Sequence, residues 1–284
     1  MRSIKKTSLK KNSQKKKSLK KTDAKLCSTC TIVKKNKNNH LYSLNNENWK
    51  MFPENIPILG RKHGSQKQLI DVGKEYGGCL LYYFASKQKH TNKLTEFPKS
   101  YKDSQNNGLV KLDMSGCAYI HLDCPQPYKE DNISYVSHIH FLISDKSMTH
   151  WRPKLGTQSI VCDITKQQIK NHIKNNDRLI INALPKKNYN IKHIPTSFNL
   201  FYKEAQKMSS STIKSKIKEM IKNHTKLQAY LKKNKLSLED TPIVVYCYDS
   251  KCNAGLQLAN ELINCGFTNI LDYKNGILGW MSRK

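Results

Sequence analysis

The sequence predicts an α/β protein whose C-terminal part holds a parallel sheet flanked by helices. Strand and helix patterns alternate from residue 158 to the end, which is typical of such sheets. Short apolar runs separated by polar turns fill residues 39–157, without a helical period of comparable strength. Residues 1–38 are mostly Lys, Ser, Thr and Asn, with too little apolar content to form a core. We therefore expect a disordered Lys-rich tail at 1–38, a small β-rich domain at 39–157 and an α/β domain at 158–284.

The elements of the C-terminal domain follow from apolar runs and their spacing. Apolar residues at spacings of three and four predict one long helix over 212–232 with its apolar face on the core. Gly266 is expected to end another helix, because glycine adopts the left-handed conformation that often follows a last turn. The other predicted strands and helices are Ile160–Cys162, Lys166–Ile173, Leu179–Asn182, Ile243–Cys247, Ala254–Asn264 and Ile270–Asp272.

The β-rich domain is built from four predicted strand regions. The run Cys79–Phe84 is apolar throughout and predicts a buried strand. Leu109–Leu112, Ala118–Leu122 and Ile133–Ile143 alternate in part between apolar and polar residues, with Asn, Gly and Pro between them. No known family is recognised in this region.

Two histidines of the β-rich domain are candidate metal ligands. His138 and His140 lie on one face of a predicted strand, and Cys117, His121 and Cys124 are near in sequence. Imidazole and thiolate together suit zinc or copper. The alternative is a pair of ordinary strand histidines, and we assign no metal from the sequence.

Charge is the strongest compositional signal. The chain has 50 Lys and Arg against 21 Asp and Glu, a net charge of +29, and residues 1–25 hold 11 of these bases with one acid. Such a tail attracts nucleic acid or another polyanion by counterion release. The alternative is that abundant Lys and Asn reflect an AT-rich genome, which would suit a parasite, a low-GC bacterium or, as we favour, a large DNA virus of a protist.

The location is expected to be intracellular, in the cytoplasm or in a virion if the chain is viral. No apolar run approaches the ~18 residues of a membrane span, and the first residues lack a signal-peptide core. Nine scattered cysteines favour a reducing setting in which most thiols are free. The pair Cys27 and Cys30 has no second pair at zinc-ligand spacing.

Cys247 is the candidate reactive residue. It ends an apolar strand and is followed by a short polar loop and then a helix. At the C-terminal edge of a parallel strand, loop N–H groups and a helix N-terminus favour an anion. Such surroundings lower a thiol pKa from its usual ~8.5, and Lys251 adds positive charge. The alternative is a buried cysteine that acts as a small apolar residue.

The segments around Cys247 resemble the rhodanese family of sulfurtransferases. Ile243–Cys247 is similar to the strand that leads into the family's active-site loop. Further similar segments are Leu179–Asn182, His193–Asn199, Leu258–Leu262, Gly266–Ile270 and Tyr273–Trp280. The resemblance implies that Cys247 takes a sulfane sulfur from a small donor such as thiosulfate, becomes a persulfide and passes the sulfur to cyanide or a thiol. It implies no cofactor.

The resemblance also assigns roles to neighbouring residues. The substrate-binding loop would be Tyr248, Asp249, Ser250, Lys251, Cys252 and Asn253. Lys251 would recognise an anionic donor, and His193 would be a structural histidine bonded to backbone. Asn182 and Leu184 stand where the family usually has Asp and Arg, and Cys252 where Arg or Thr is frequent.

Three alternative functions follow from the same residues. Cys252 is a candidate redox partner for Cys247, because a curved loop can bring two thiols within disulfide distance. The domain could instead be a non-catalytic binding module with a basic tail. A Cys-based phosphatase is disfavoured, because Asn253 stands where such a loop needs Arg to clamp a phosphoryl group. The sequence sets no oligomeric state.

Overall fold

The computed structural model of the chain describes residues 40–43, 64–87, 94–97, 99–101 and 104–282. The predicted tail, including Cys27 and Cys30, lies outside these residues. Within the described ranges, no helix combines the length and apolar composition needed to cross a membrane.

The N-terminal part is rich in β-strands, as the sequence predicts. A five-stranded antiparallel sheet has the order β1-β10-β9-β3-β5, beside a pair β2-β6 and a three-stranded sheet β4-β7-β8. A 3-10 helix spans Lys74–Tyr76. The strands are β1 His40–Ser43, β2 Gln66–Asp71, β3 Leu80–Ala85, β4 Thr95–Glu96, β5 Asn107–Lys111, β6 Cys117–Leu122, β7 Tyr128–Glu130, β8 Ile133–Tyr135, β9 His138–Ser144 and β10 Trp151–Ser159.

The predicted strand Ile133–Ile143 is two strands. Val136 and Ser137 separate β8 from β9, and β8 turns back on β7 through Asp131 and Asn132. These two residues have φ of 49° and 64°, a conformation that Asn and Asp accept in two-residue hairpins. The break frees β9 to pair with β3 and β10 at the centre of the antiparallel sheet.

The C-terminal part is the predicted parallel sheet with flanking helices. Its strand order is β11-β15-β14-β12-β13, and every neighbouring pair is parallel. The strands are β11 Cys162–Asp163, β12 Leu179–Asn182, β13 Phe198–Asn199, β14 Ile243–Tyr246 and β15 Ile270–Tyr273. The helices are α1 Lys166–Asn175, α2 Lys186–Ile191, α3 Tyr202–Ala205, α4 Ser210–Lys222, α5 Thr225–Lys233, α6 Ala254–Asn264 and α7 Gly276–Met281.

The predicted helix over 212–232 is wrong in one respect, because it is two helices. α4 ends at Lys222, and the Nδ1 atom of His224 accepts a hydrogen bond from the Leu227 N–H at 3.3 Å, which caps α5. A side-chain acceptor at this position satisfies a first-turn N–H of the new helix. The apolar face still packs on the core as predicted, through Ile213, Ile217, Met220, Ile221, Leu227 and Leu231.

The β-rich part covers the edge of the parallel sheet. The Asp163 N–H of edge strand β11 donates to Gln66 Oε1 at 2.8 Å, so a side chain from β2 occupies a backbone group that the edge leaves open. A disulfide joins Cys124 to Cys162 of the same strand. Five other described cysteines are free, as expected for most of the thiols, but this pair is bonded. The strand expected at Ile160–Cys162 begins only at Cys162.

Candidate active site

Cys247 lies directly after β14, at the C-terminal edge of the parallel sheet. The four residues of β14 are fully buried between two core clusters, and Cys247 itself is 1% exposed. The first N–H groups of α7 hold the chain here: Ile277 donates to the Cys247 carbonyl and Leu278 to the Tyr248 carbonyl, both at 3.0 Å. Cys247 therefore lies where the sequence predicts it, at the end of a strand and before a helix.

The thiol is held in its neutral form. Its S–H donates to the Cys252 carbonyl oxygen at 2.9 Å. Burial, and then the adjacent Cys252, raise the pKa of Cys247 to about 12, against the lowering effect of the Gly255 N–H of α6. The expected lowering of the thiol pKa is thus absent, because burial and a carbonyl acceptor outweigh one helix N–H.

The loop after Cys247 directs its N–H groups at a carboxylate. Asp249 Oδ1 accepts from the N–H groups of Lys251 and Cys252, both at 3.0 Å. These are amides that the sequence analysis expected to face the sulfur, so Asp249 competes with the sulfur for them. The side chains of Tyr248, Ser250, Lys251 and Asn253 are exposed on the rim.

A buried carboxyl group lies under the first turn of α6. Asp272 of β15 is 5% exposed, and its Oδ1 has no hydrogen-bond partner. A Cβ atom at Gly255 would lie 2.6 Å from that oxygen, so only glycine fits over it. Burial, and then Asp163, raise the pKa of Asp272 to about 7, against the effect of Lys274. Its charge is also one of the causes that raise the Cys247 pKa.

Sequence reasoning missed Asp272 as a site residue. The signal available was an acid inside a predicted buried strand, which is rare unless the acid is paired. In the parallel register Asp272 stands beside Val245, two residues before the reactive cysteine. The sequence could therefore have indicated Asp272 as a candidate site residue, because it is an acid in a buried strand next to the strand that ends at Cys247.

Amide side chains form the hydrogen bonds at the end of β12, where the rhodanese family usually has an Asp and an Arg that this chain lacks. Asn182 Oδ1 accepts from the Leu184 N–H at 2.9 Å. Asn199 Nδ2 donates to the carbonyls of Asn182 and Leu184 at 3.1 and 2.7 Å. His193 Nδ1 donates to the Tyr189 carbonyl at 2.9 Å, which confirms its expected structural role.

Comparison with known families assigns the part of the chain that contains Cys247. Residues 165–283 match the model of the rhodanese-like domain family. These residues are a rhodanese-like domain. The predicted resemblance is therefore confirmed for the C-terminal part of the chain. Comparison with curated protein sequences finds no relative.

Solved structures similar to the rhodanese-like domain include three proteins of low identity. The human single-domain sulfurtransferase TSTD1 is 16% identical, with a TM-score of 0.32, and the match covers 44% of this chain and 99% of that one. The Saccharomyces cerevisiae single-domain sulfurtransferase RDL2 is 15% identical, with a TM-score of 0.30 and coverage of 43% and 90%. A Bacillus halodurans protein is 18% identical, with a TM-score of 0.31 and coverage of 42% and 70%.

A cleft of about 940 Å³ lies between the rhodanese-like domain and the β-rich part. Of the predicted loop residues, Ser250 lines it, whereas Cys247 does not. The cleft therefore reaches the outer rim of the active-site loop but not the thiol. Other lining residues are Gln66, Cys124, Asp163, Lys166, His172 and Lys274.

The five candidate metal ligands named from the sequence do not gather at one place. Within the described ranges, no three His, Cys, Asp or Glu side chains gather as metal ligands. Cys117 and His121 lie on β6, which pairs with β2, and Cys124 is in the disulfide. His138 and His140 do meet, with their Nε2 atoms 3.1 Å apart.

Proposed function

We propose that the rhodanese-like domain is a sulfurtransferase that carries sulfur on Cys247. The observation that supports this most directly is the position of the thiol: it follows a central parallel strand and faces the Gly255 N–H of the following helix. A sulfur atom there can hold negative charge close to a helix N-terminus. A second cysteine in the loop, Cys252, is compatible with this role.

The reaction divides into two displacements. In the first, the Cys247 thiolate attacks the outer sulfur of a donor such as thiosulfate, and the donor's S–S bond breaks as sulfite leaves with the electron pair. In the second, cyanide or an acceptor thiolate attacks the outer sulfur of the Cys247 persulfide. The Cys247 S–S bond breaks and the thiolate is regenerated. Covalent storage of the sulfur splits a difficult transfer into two easier steps.

The loop must rearrange before the first step. The Cys247 thiol is buried, and its proton is bound by the Cys252 carbonyl. Turning that carbonyl away would let the thiol lose its proton to water. Release of Asp249 would free the N–H groups of Lys251 and Cys252 for the negative sulfur. The exposed Lys251 would then attract an anionic donor.

The test is thiosulfate-to-cyanide sulfur transfer by the full chain, with thiocyanate as the readout. Cys247→Ser should abolish turnover, and the mass gain of one sulfur atom after thiosulfate treatment should map to Cys247. Cys117→Ser, which changes a free cysteine of the β-rich part, is the matched control and should keep full turnover. Equal turnover in the wild type and Cys247→Ser would reject the proposal.

A thiol redox function is the second candidate, and the loop contact favours it. Cys247 and Cys252 are both free, and the thiol of one already touches the carbonyl of the other. A disulfide between them would form on mild oxidation and would be absent in Cys252→Ser. The two functions separate cleanly, since sulfur transfer survives Cys252→Ser and redox cycling does not. If neither occurs, the domain is a binding module, and the nucleic-acid contact predicted for residues 1–38 becomes the leading function.

A further inference from the structure

Two imidazoles of β9 point at one place within the antiparallel sheet. His138 and His140 are 2% and 0% exposed, and their Nε2 atoms are 3.1 Å apart. The other nitrogen of each ring is already engaged. His138 Nδ1 lies 2.7 Å from the Val136 carbonyl oxygen, and His140 Nδ1 lies 2.8 Å from Thr157 Oγ1.

Two phenol oxygens complete this group. Tyr128 Oη lies 3.2 Å and Tyr101 Oη 3.4 Å from His138 Nε2. The Tyr101 and Tyr128 rings contact each other edge to face, and each also lies against a histidine ring. One imidazole nitrogen and two phenol oxygens, from β9, β7 and the segment before β5, therefore lie within 3.4 Å of the buried His138 Nε2 atom.

The arrangement has the features of a metal site. Metal-ligating histidines are oriented by a hydrogen bond from the ring nitrogen that does not bind the metal, as both Nδ1 atoms are placed here. Bonds of ~2.0–2.1 Å to a tetrahedral ion put neighbouring ligand atoms about 3.3–3.4 Å apart. The separations of the other three atoms from His138 Nε2, which are 3.1, 3.2 and 3.4 Å, are close to that spacing.

We propose that His138, His140, Tyr101 and Tyr128 bind one first-row transition-metal ion. On binding, each phenol would release its proton to solvent, and the two phenolates would offset the charge of a divalent ion inside the protein. Imidazole suits zinc, copper and iron, whereas a calcium or magnesium site would need more oxygen ligands. The site lies outside the rhodanese-like domain and does not depend on sulfur transfer.

The experiment measures metal bound by the purified full chain, before and after incubation with zinc, copper or iron salts. We expect about one equivalent per chain, and a visible absorption band from phenolate if the ion is iron(III) or copper(II). Tyr101→Phe and Tyr128→Phe keep the rings but remove the oxygens. Each should weaken metal affinity at least about tenfold.

Tyr82→Phe is the matched control. Tyr82 is buried in the neighbouring aromatic cluster, and its hydroxyl has no hydrogen-bond partner, so its loss should leave metal content unchanged. Circular dichroism would show that each variant is folded. Substoichiometric metal in every reconstitution would overturn the proposal and leave a hydrogen-bonded network. Metal that persists in the Tyr101→Phe/Tyr128→Phe double variant, or that is lost with Cys27→Ser/Cys30→Ser, would also overturn it.

Discussion

The thiol of Cys247 donates a hydrogen bond to the carbonyl oxygen of Cys252 at 2.9 Å. A carbonyl oxygen stabilises the protonated sulfur and repels a thiolate, so the contact acts in the same direction as burial. Together they explain why a cysteine beside a helix N-terminus has a pKa raised to about 12. The described conformation is a protonated, closed form of the candidate active site.

Alkylation should report this closed form. We expect iodoacetamide to modify Cys247 slowly near neutral pH, with a rate that rises about tenfold per pH unit up to about pH 11, since only the thiolate reacts. Site-resolved mass spectrometry would measure it, with the chain unfolded in guanidinium as the reference. A rate that levels off below about pH 8 would show that the loop opens and releases a thiolate.

Asp249 is expected to stabilise the closed loop. Its carboxylate accepts from the N–H groups of Lys251 and Cys252, and hydrogen bonds to charged groups contribute about 1.5–3 kcal/mol each. Asp249→Ala should therefore favour open loop conformations and speed Cys247 alkylation about tenfold or more. Ser250→Ala changes the neighbouring exposed residue and should leave the rate unchanged. A slower or equal rate in Asp249→Ala would show that the loop does not control access.

Asp272 should make stability depend on pH. Its pKa is about 7 in the folded chain against an ordinary 3.8, so folding favours the protonated carboxyl. Its contribution to stability is complete below about pH 4 and is lost as pH rises through about 7. Asp272→Asn stays neutral throughout. The free energy of unfolding of Asp272→Asn, relative to that of the wild type, should therefore increase by up to about 4 kcal/mol as the pH rises from about 4 to about 8.

Urea unfolding of both chains across this pH range would measure the Asp272 effect. Asp71→Asn is the control, since Asp71 is an exposed acid at the end of β2, outside the parallel sheet. A constant difference between Asp272→Asn and the wild type at all pH values would contradict a buried, titrating carboxyl.

The parts of the site set by local sequence were predictable, and the parts set by tertiary contacts were not. The apolar run before Cys247 and the helix after it predict the strand end and the loop correctly. The raised pKa of the thiol depends on where the Cys252 carbonyl points, which no spacing reveals. Asp272 is part of the site because parallel pairing brings β15 beside β14. The break between α4 and α5 at His224 was not predicted, because the apolar residues keep their spacing of three and four across it.

Gly255 should be essential for the packing of α6 over Asp272. A Cβ there would lie 2.6 Å from the Asp272 carboxyl oxygen, so Gly255→Ala should lower the free energy of unfolding by about 1–3 kcal/mol. In the Asp272→Ala background the same change should cost much less, because the clashing oxygen is gone. Leu256→Ala, at the exposed next position, is the comparison. Additive effects of Gly255→Ala and Asp272→Ala would show that the two residues do not meet.

The disulfide between Cys124 and Cys162 should stabilise the chain by linking the β-rich part to the edge of the parallel sheet. It joins positions 38 residues apart, and closing a loop of that length restricts the unfolded chain by about 2–4 kcal/mol. Cys124→Ser should therefore lower the unfolding temperature, and dithiothreitol should lower that of the wild type to the same value. Dithiothreitol should not change the Cys124→Ser chain, and Cys117→Ser should behave as the wild type. A wild-type chain that melts at the same temperature with and without dithiothreitol would show that the hydrogen bond from Asp163 to Gln66 and the shared apolar core hold the two parts together without the bond.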